Sequence, residues 1–261
     1  MRNAILAALA AIAVITAPAS AQPLEPGQFA GSVSAGADFA VGGDVHGGAT
    51  AQVADLGPLN PSLAGVSAEL RIVARDFDEI YGEAATYAVE GAYGLNGGRE
   101  IFAAISRVEA DQGRVQVGGA FVPALNQTLP VFGTFGEYNA TRIEAGVRQY
   151  YGEAALRPYI AGRVGVTVTD EIRATFEIPA AAIAIGNAAF YDDSTVLALG
   201  ADVGVSYAVN ERFSIGAEVG LRYSAGLEDN DSSIGGLGLA SINDEGDRFS
   251  VPVTVRARIA F

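Results

Sequence analysis

Hydrophobic and polar residues alternate along much of this chain, most clearly at its end. From Phe249 the odd positions read Phe249, Val251, Val253, Val255, Ala257, Ile259 and Phe261, and the even ones Ser250, Pro252, Thr254, Arg256, Arg258 and Ala260. A period of two sends successive side chains to opposite faces of a β-strand. The pattern recurs upstream. Phe213, Ile215, Ala217, Val219, Leu221 and Tyr223 oppose Ser214, Gly216, Glu218, Gly220, Arg222 and Ser224, and Leu197 to Tyr207 alternates against Gly200, Asp202, Gly204 and Ser206. Similar strands are expected at Tyr159 to Val168 with Arg163, at Arg142 to Tyr150 with Glu144 and Arg148, and at Ala85 to Tyr93 with Glu90. Another is expected at Ala64 to Ala74, where Ser67, Glu69, Arg71 and then Arg75 oppose Val66, Ala68, Leu70 and Ile72. Between Arg99 and Glu109 the pattern is ambiguous, because Ile101 and Phe102 compete for one face.

Connection lengths alternate as well. Short turns fall at Leu95 to Arg99, Gly152 to Ala154 and Val209 to Arg212, and long connections at roughly 110 to 137, 169 to 193 and 226 to 247. Strands greasy on one face, joined alternately by short and long connections, predict an all-β fold: an antiparallel transmembrane β-barrel. With both termini on the short-turn side the strand number is even. Counting back from Phe261, the stretch before Ala64 must supply two strands, near 28 to 41 and 44 to 56, which makes ten. Eight strands, with the N-terminal stretch as a plug or tail, is the alternative.

Composition fits this expectation. Mean hydropathy is positive, yet no stretch after the N-terminus approaches the about 20 apolar residues of a membrane-spanning helix. The N-terminus itself reads as a secretory signal: Arg2, an apolar run from Ala4 to Ala17, then Pro18-Ala19-Ser20-Ala21 as an A-x-A cleavage site. Residues 1–21 are therefore expected to be a signal peptide and 22–261 a single barrel domain. The chain has no Cys, so neither disulfides nor a lipidated cysteine hold it. A net charge of -14 argues against nucleic acid, whose phosphates need a basic surface.

The terminal run to Phe261, the segment Arg157-Pro158-Tyr159-Ile160-Ala161-Gly162-Arg163-Val164-Gly165 and the hairpin from Tyr207 to Glu218 together resemble the small outer-membrane β-barrel family of Gram-negative bacteria that includes the OmpA-type transmembrane domain. The resemblance runs from Ala64 onward. It implies an outer-membrane location among outer-membrane lipids and lipopolysaccharide. It also implies that Phe261 is a terminal aromatic signal read by the barrel assembly machinery. OmpA itself continues into a peptidoglycan-binding domain; this chain ends at the barrel, so no cell-wall tether is implied.

Little in the sequence suggests catalysis or a cofactor. The one histidine, His46, lies in a Gly-rich stretch with Asp44 two residues before it, and no serine or second motif joins them into a catalytic pattern. The acidic run Glu228-Asp229-Asn230-Asp231, with Asp244, Glu245 and Asp247, could gather oxygens for Ca²⁺ but lacks fixed ligand spacing, and a solvated loop is expected. Gly235-Gly236-Leu237-Gly238 follows no strand-to-helix turn, so it is no nucleotide loop. No enzyme, cofactor or metal is expected.

The polar strand faces carry the chemistry instead. Turned inward, they would gather Glu69, Glu90, Glu144, Asp202 and Glu218 with Arg71, Arg75, Arg142, Arg148, Arg163, Arg222, Arg256 and Arg258. Buried charges must be paired, and the planar guanidinium bonds carboxylates at two points. The expected function is accordingly a structural or surface-exposed barrel filled by Arg–carboxylate pairs. The surplus of arginine leaves a small porin or narrow anion-favouring channel as the other reading. Glu218 is expected to meet Arg222 on its own strand and Arg256 or Arg258 across the ladder.

Overall fold

The computed structural model describes residues 24–244 and 246–261; the expected signal peptide lies outside them. In chain order the elements are β1 (Phe29–Gly42), β2 (Asp44–His46), β3 (Ala49–Val53), β4 (Ala68–Ile72), β5 (Arg75–Asp76), the one-turn helix α1 (Phe77–Ile80), β6 (Glu83–Gly94) and β7 (Arg99–Ala110). There follow β8 (Gly113–Val122), β9 (Gln127–Phe135), β10 (Tyr138–Tyr150), β11 (Leu156–Thr169) and β12 (Ile172–Ile178). The last four are β13 (Ile183–Tyr191), β14 (Ser194–Ala208), β15 (Phe213–Ser224) and β16 (Arg248–Ala260).

Eight of these strands close into an antiparallel barrel in the order β1-β16-β15-β14-β11-β10-β7-β6. Closure is made by β1, which pairs with β16 from Ala30↔Ala260 to Phe39↔Val251 and with β6 from Phe29↔Tyr93 to Phe39↔Glu83. No barrel edge is left unpaired, the condition for strands to cross hydrocarbon. The outward positions are apolar all round: Val33, Val89, Ile105, Ile143, Val164, Leu199, Val203, Val219 and Val255 are exposed. In water so continuous an apolar belt would aggregate; against lipid it is the stable surface. Aromatic rings flank it. Phe29 and Tyr93 (5.0 Å) with Tyr207 and Phe261 mark the short-turn rim, and Tyr223 and Phe249 (4.9 Å) with Phe39 and Tyr87 the opposite rim. The β6–β7 turn is tight because Gly97 and Gly98 both take positive φ, 75° and 70°.

The ten-strand count is corrected to eight. The stretch 28–41 is the barrel strand β1, but 44–56 and 64–76 do not cross the barrel. They form β2 to β5 beyond its rim, where β3 and β4 join a second sheet of six strands ordered β13-β12-β9-β8-β4-β3. That sheet is built from three connections at the long-loop end and forms a folded head. The hairpins β8–β9 and β12–β13 turn on the same device: a Pro opens a short 3₁₀ turn, Pro123–Leu125 or Pro179–Ala181, and a left-handed residue closes it, Asn126 (φ 47°) or Ala182 (φ 49°). The inner sheet face buries Leu70, Val117, Val131, Ala174, Ile178 and Ile183 in one apolar core with Phe77, Tyr138 and Phe190.

Candidate functional site

The barrel's interior is a column of charge. Nearest the short turns, Glu100 accepts from Arg258 (2.6 Å) and lies 3.5 Å from Arg148, while the Tyr150 hydroxyl accepts from Arg258 (2.7 Å). Arg148, wholly buried, holds Glu90 with both terminal nitrogens, at 2.8 and 2.7 Å. Its guanidinium also stacks 4.6 Å over the Phe102 ring. In the middle, Arg163 reaches Asp202 (2.5 Å), Glu144 (3.3 Å) and Glu218 (3.4 Å), and Arg222 reaches the other oxygen of Asp202 (2.6 Å). Toward the head, Asp38 is shared by Arg142 (3.1 Å) and Arg248 (3.2 Å). Glycine makes room for this crowding. A Cβ at Gly200 would lie 2.8 Å from Arg163 Cγ and 2.9 Å from Arg222 Cδ, and one at Gly204 would overlap the Tyr159 ring.

Both ends of the column are covered. At the short-turn end Leu24 is buried and its backbone N–H donates to Glu100 (3.3 Å). At the other end α1 lays Phe77 and Tyr81 against Tyr138, with ring centroids 5.7 and 5.8 Å away. The helix starts at Asp76, whose N–H donates to Glu79 three residues on (3.2 Å).

The structure thus brings together inside the barrel Glu90, Arg142, Glu144, Arg148, Arg163, Asp202, Glu218, Arg222, Arg256 and Arg258. The expected Glu218 pairing is only partly met. Glu218 accepts from Tyr159 (2.8 Å) and lies 3.9 Å from Arg256, whereas Arg222 turns to Asp202 and Arg258 to Glu100. Three of the expected luminal residues are not in the lumen. Glu69, Arg71 and Arg75 belong to the head, where Arg71 pairs with Glu69 (2.5 Å) on the open face of the six-stranded sheet and Arg75 pairs with Glu79 (2.6 Å). Their strand has the same alternation as a barrel strand, but its apolar side faces the head's own core. The sequence reading missed Asp38, Glu100 and Arg248. Glu100 could have been placed from Phe102: once a ring that stacks under two guanidiniums, Arg148 and Arg163, is put inside, Glu100 follows two residues away.

The head contains an apolar cavity of about 60 Å³ between the inner sheet face and the 226–247 connection. His46 lines it, 2% exposed. The imidazole stacks on Phe135 (5.8 Å between centroids) and meets Phe190 edge-on (6.2 Å). Its Nδ1 donates to the Gly47 carbonyl (3.0 Å), and burial holds its pKa below the ordinary 6.5, so the ring is neutral. Nε2 has no hydrogen-bond partner among the described residues. Nearby, a hydrogen bond to Asp44 raises the Asp76 carboxyl above its usual range.

The acidic connection is built into the head's framework. The Asp231 carbonyl accepts from Ile234 and Gly235 N–H (3.2 and 2.8 Å), its carboxylate accepts from Ser241 N–H (3.1 Å), and Asn230 donates to Asp192 (2.8 Å). Among the described residues no group of three or more His, Cys, Asp or Glu has the arrangement of a metal site. Phe261 stands exposed past the last strand, its N–H bonded to Phe29 O (2.9 Å).

No family model and no curated protein matches the chain. Solved structures similar to it include Neisserial surface protein A, 13% identical over 90% of this chain and 97% of that one, with a TM-score of 0.42. The attachment invasion locus protein Ail of Yersinia pestis is 10% identical over 90% and 99%, with a TM-score of 0.38. The outer-membrane protease OmpT of Escherichia coli is 8% identical over 90% and 97%, with a TM-score of 0.43. At these levels the likeness adds nothing to what the closed eight-stranded sheet already shows.

Proposed function

We propose that this chain is a non-enzymatic outer-membrane barrel that carries a folded head on the cell surface and whose lumen is a closed structural core. The observation that carries the reading is the luminal column. Arg142, Arg148, Arg163, Arg222, Arg248, Arg256 and Arg258 each lie within 4.0 Å of a carboxylate drawn from Asp38, Glu90, Glu100, Glu144, Asp202 and Glu218, and side chains cover both ends. Eight strands leave an interior about wide enough for side chains alone. On this reading lipopolysaccharide surrounds the head-side rim, outer-membrane lipids contact the apolar belt, and the barrel assembly machinery reads Phe261 during insertion. His46 faces aromatic rings and no nucleophile, which argues against hydrolysis.

A narrow anion-favouring channel is the second reading, favoured by a surplus of arginine: the seven paired arginines outnumber the six carboxylates, and Arg157, buried on the same face of β11 as Arg163, donates to the Ala154 and Glu153 carbonyls (3.0 and 3.3 Å). Planar-bilayer recording of the refolded chain separates the two. A closed core gives a silent membrane at moderate voltage, and steady unitary steps with anion preference would replace it with the channel.

A further inference from the structure

The luminal column leaves one guanidinium over. Arg157 is 7% exposed on the inner face of β11, and alone among the buried arginines of the described residues it has no carboxylate partner. Its Nε and Nη2 donate to the Ala154 and Glu153 carbonyls (3.0 and 3.3 Å), which fix the group without neutralising it. Nη1 has no acceptor among the described residues. A cation taken out of water without a counter-charge keeps a desolvation cost that an anion would offset.

Arg157 lines a small pocket just inside the short-turn mouth, together with Arg258. The barrel's ladder builds the wall between them. Ser206 is the register partner of Arg157 and Ser214 that of Arg258, and all four lie on the inner faces of their strands. Among the described residues neither serine hydroxyl is hydrogen-bonded, so two O–H groups stand free beside the free Nη1. The acids nearby do not fill the space. Glu153 and Glu211 are exposed on their turns, and Glu100 is committed to Arg258 (2.6 Å) and Arg148 (3.5 Å).

Size narrows the guest. The pocket holds about 40 Å³, more than the roughly 10 to 15 Å³ that one water needs and far less than the roughly 150 Å³ of a benzene site. An ion about as large as a water molecule fits, and a bulky organic acid does not. We propose that the short-turn mouth of the barrel holds one small monovalent anion, a halide or a formate-sized carboxylate, bound by the Arg157 guanidinium and the Ser206 and Ser214 hydroxyls beside Arg258. This goes beyond the anchoring role, and because the site lies at the mouth it holds whether the lumen behind it is closed or conducts.

The test is ³⁵Cl NMR of the refolded full chain in an uncharged detergent, with sodium gluconate keeping the ionic strength constant. A chloride that exchanges with a protein site broadens the line of the bulk ion. Wild type should broaden it in proportion to protein concentration, and bromide or formate should remove the excess where gluconate does not. Arg157→Gln should weaken chloride binding at least about tenfold, the worth of one hydrogen bond from a charged donor. Ser214→Asp supplies a carboxylate from the chain itself. It should abolish the excess broadening while the barrel keeps its heat-modifiable form, which separates loss of the site from failure to fold. Arg99→Gln removes an exposed arginine of the same rim outside the pocket and should change nothing. No excess broadening in wild type, or excess that survives both Arg157→Gln and Ser214→Asp, would overturn the proposal. Broadening seen only in Glu211→Gln would overturn it as well, because the chain's own glutamate would then be the anion in the site.

Discussion

Two interiors share this molecule, and they are inverted with respect to each other. The barrel encloses guanidiniums and carboxylates and turns its apolar side chains outward, while the head encloses isoleucine, leucine, valine and phenylalanine and turns Glu69, Arg71 and Arg114 outward. Both are made of β-strands with period-two alternation. The difference teaches that alternation fixes two faces but not which one meets solvent; the surroundings decide that, lipid for one sheet and water for the other. Tolerance to change differs accordingly. On the closed-core reading a luminal charge has partners that water cannot reach in its absence, whereas an exposed charge on the head is hydrated whether or not it is paired.

The sharpest way to break the comparison is to remove one arginine from each region. Arg148→Ala removes a guanidinium shared by Glu90 and Glu100, leaving them Arg256 (3.5 Å) and Arg258 (2.6 Å), and in a closed core should cost about 3 to 5 kcal/mol. Arg71→Ala, which removes an exposed pair with Glu69, should cost about 0 to 1 kcal/mol. Urea unfolding in liposomes, followed by circular dichroism, measures both. Equal losses would mean that water reaches the lumen, and the channel reading would gain at the expense of the closed core.

The second test asks whether the two interiors are independent. Ile172 is fully buried in the head's core on β12, just beyond the barrel strand β11. Ile172→Ala should cost about 2 to 5 kcal/mol. If the interiors are separate, the loss stays in the head: added protease should cut the 110–137 and 169–193 connections while the heat-modifiable barrel persists. Joint unfolding at one urea concentration would show instead that Phe77, Tyr81 and Tyr138 weld head to barrel into one cooperative unit.

How much of this was legible depends on the length of each alternating run. Strands β10, β11, β14, β15 and β16 run over 12 to 15 residues, and their charged faces and short turns could be read directly. The alternation from Ala64 to Ala74 is long enough to cross a membrane at the usual strand tilt, which takes about 9 to 11 residues, but in the structure only Ala68–Ile72 forms the strand. The alternating run therefore carried no signal against placing Glu69, Arg71 and Arg75 in the lumen. The hairpin at Pro179 was readable only as a loop, because a Pro turn closed by Ala182 in a left-handed conformation carries none of the usual Gly or Asn marking, whereas the one at Pro123 closes on Asn126 and does carry it. Asp38 was hidden for a different reason. On its face of β1 the other residues are Ala30, Ser32, Ser34, Gly36 and Ala40, and its partners are brought to it by closure of the barrel, Arg248 from the last strand and Arg142 from the middle of the chain.

The smallest expected effect is also the most specific, because it isolates one atom of the head. Burial depresses the His46 pKa, and Arg75 pushes it the same way, against the opposing pull of Glu79 and Asp44. The unfolded head therefore takes up a proton near pH 6.5 that the folded head refuses. Stability from this group is fully present above that pH and declines as the pH falls below it, by at most about 1.4 kcal/mol per unit, until the depressed folded pKa is reached. Asp76 acts with the opposite sign: its raised pKa contributes most at low pH and fades as pH rises. Because Asp76 is common to wild type and His46→Phe, the difference between their head stabilities, read by amide hydrogen exchange between pH 7.5 and 5, removes it. That difference should shrink toward acid, and a flat difference would mean that His46 titrates as if exposed.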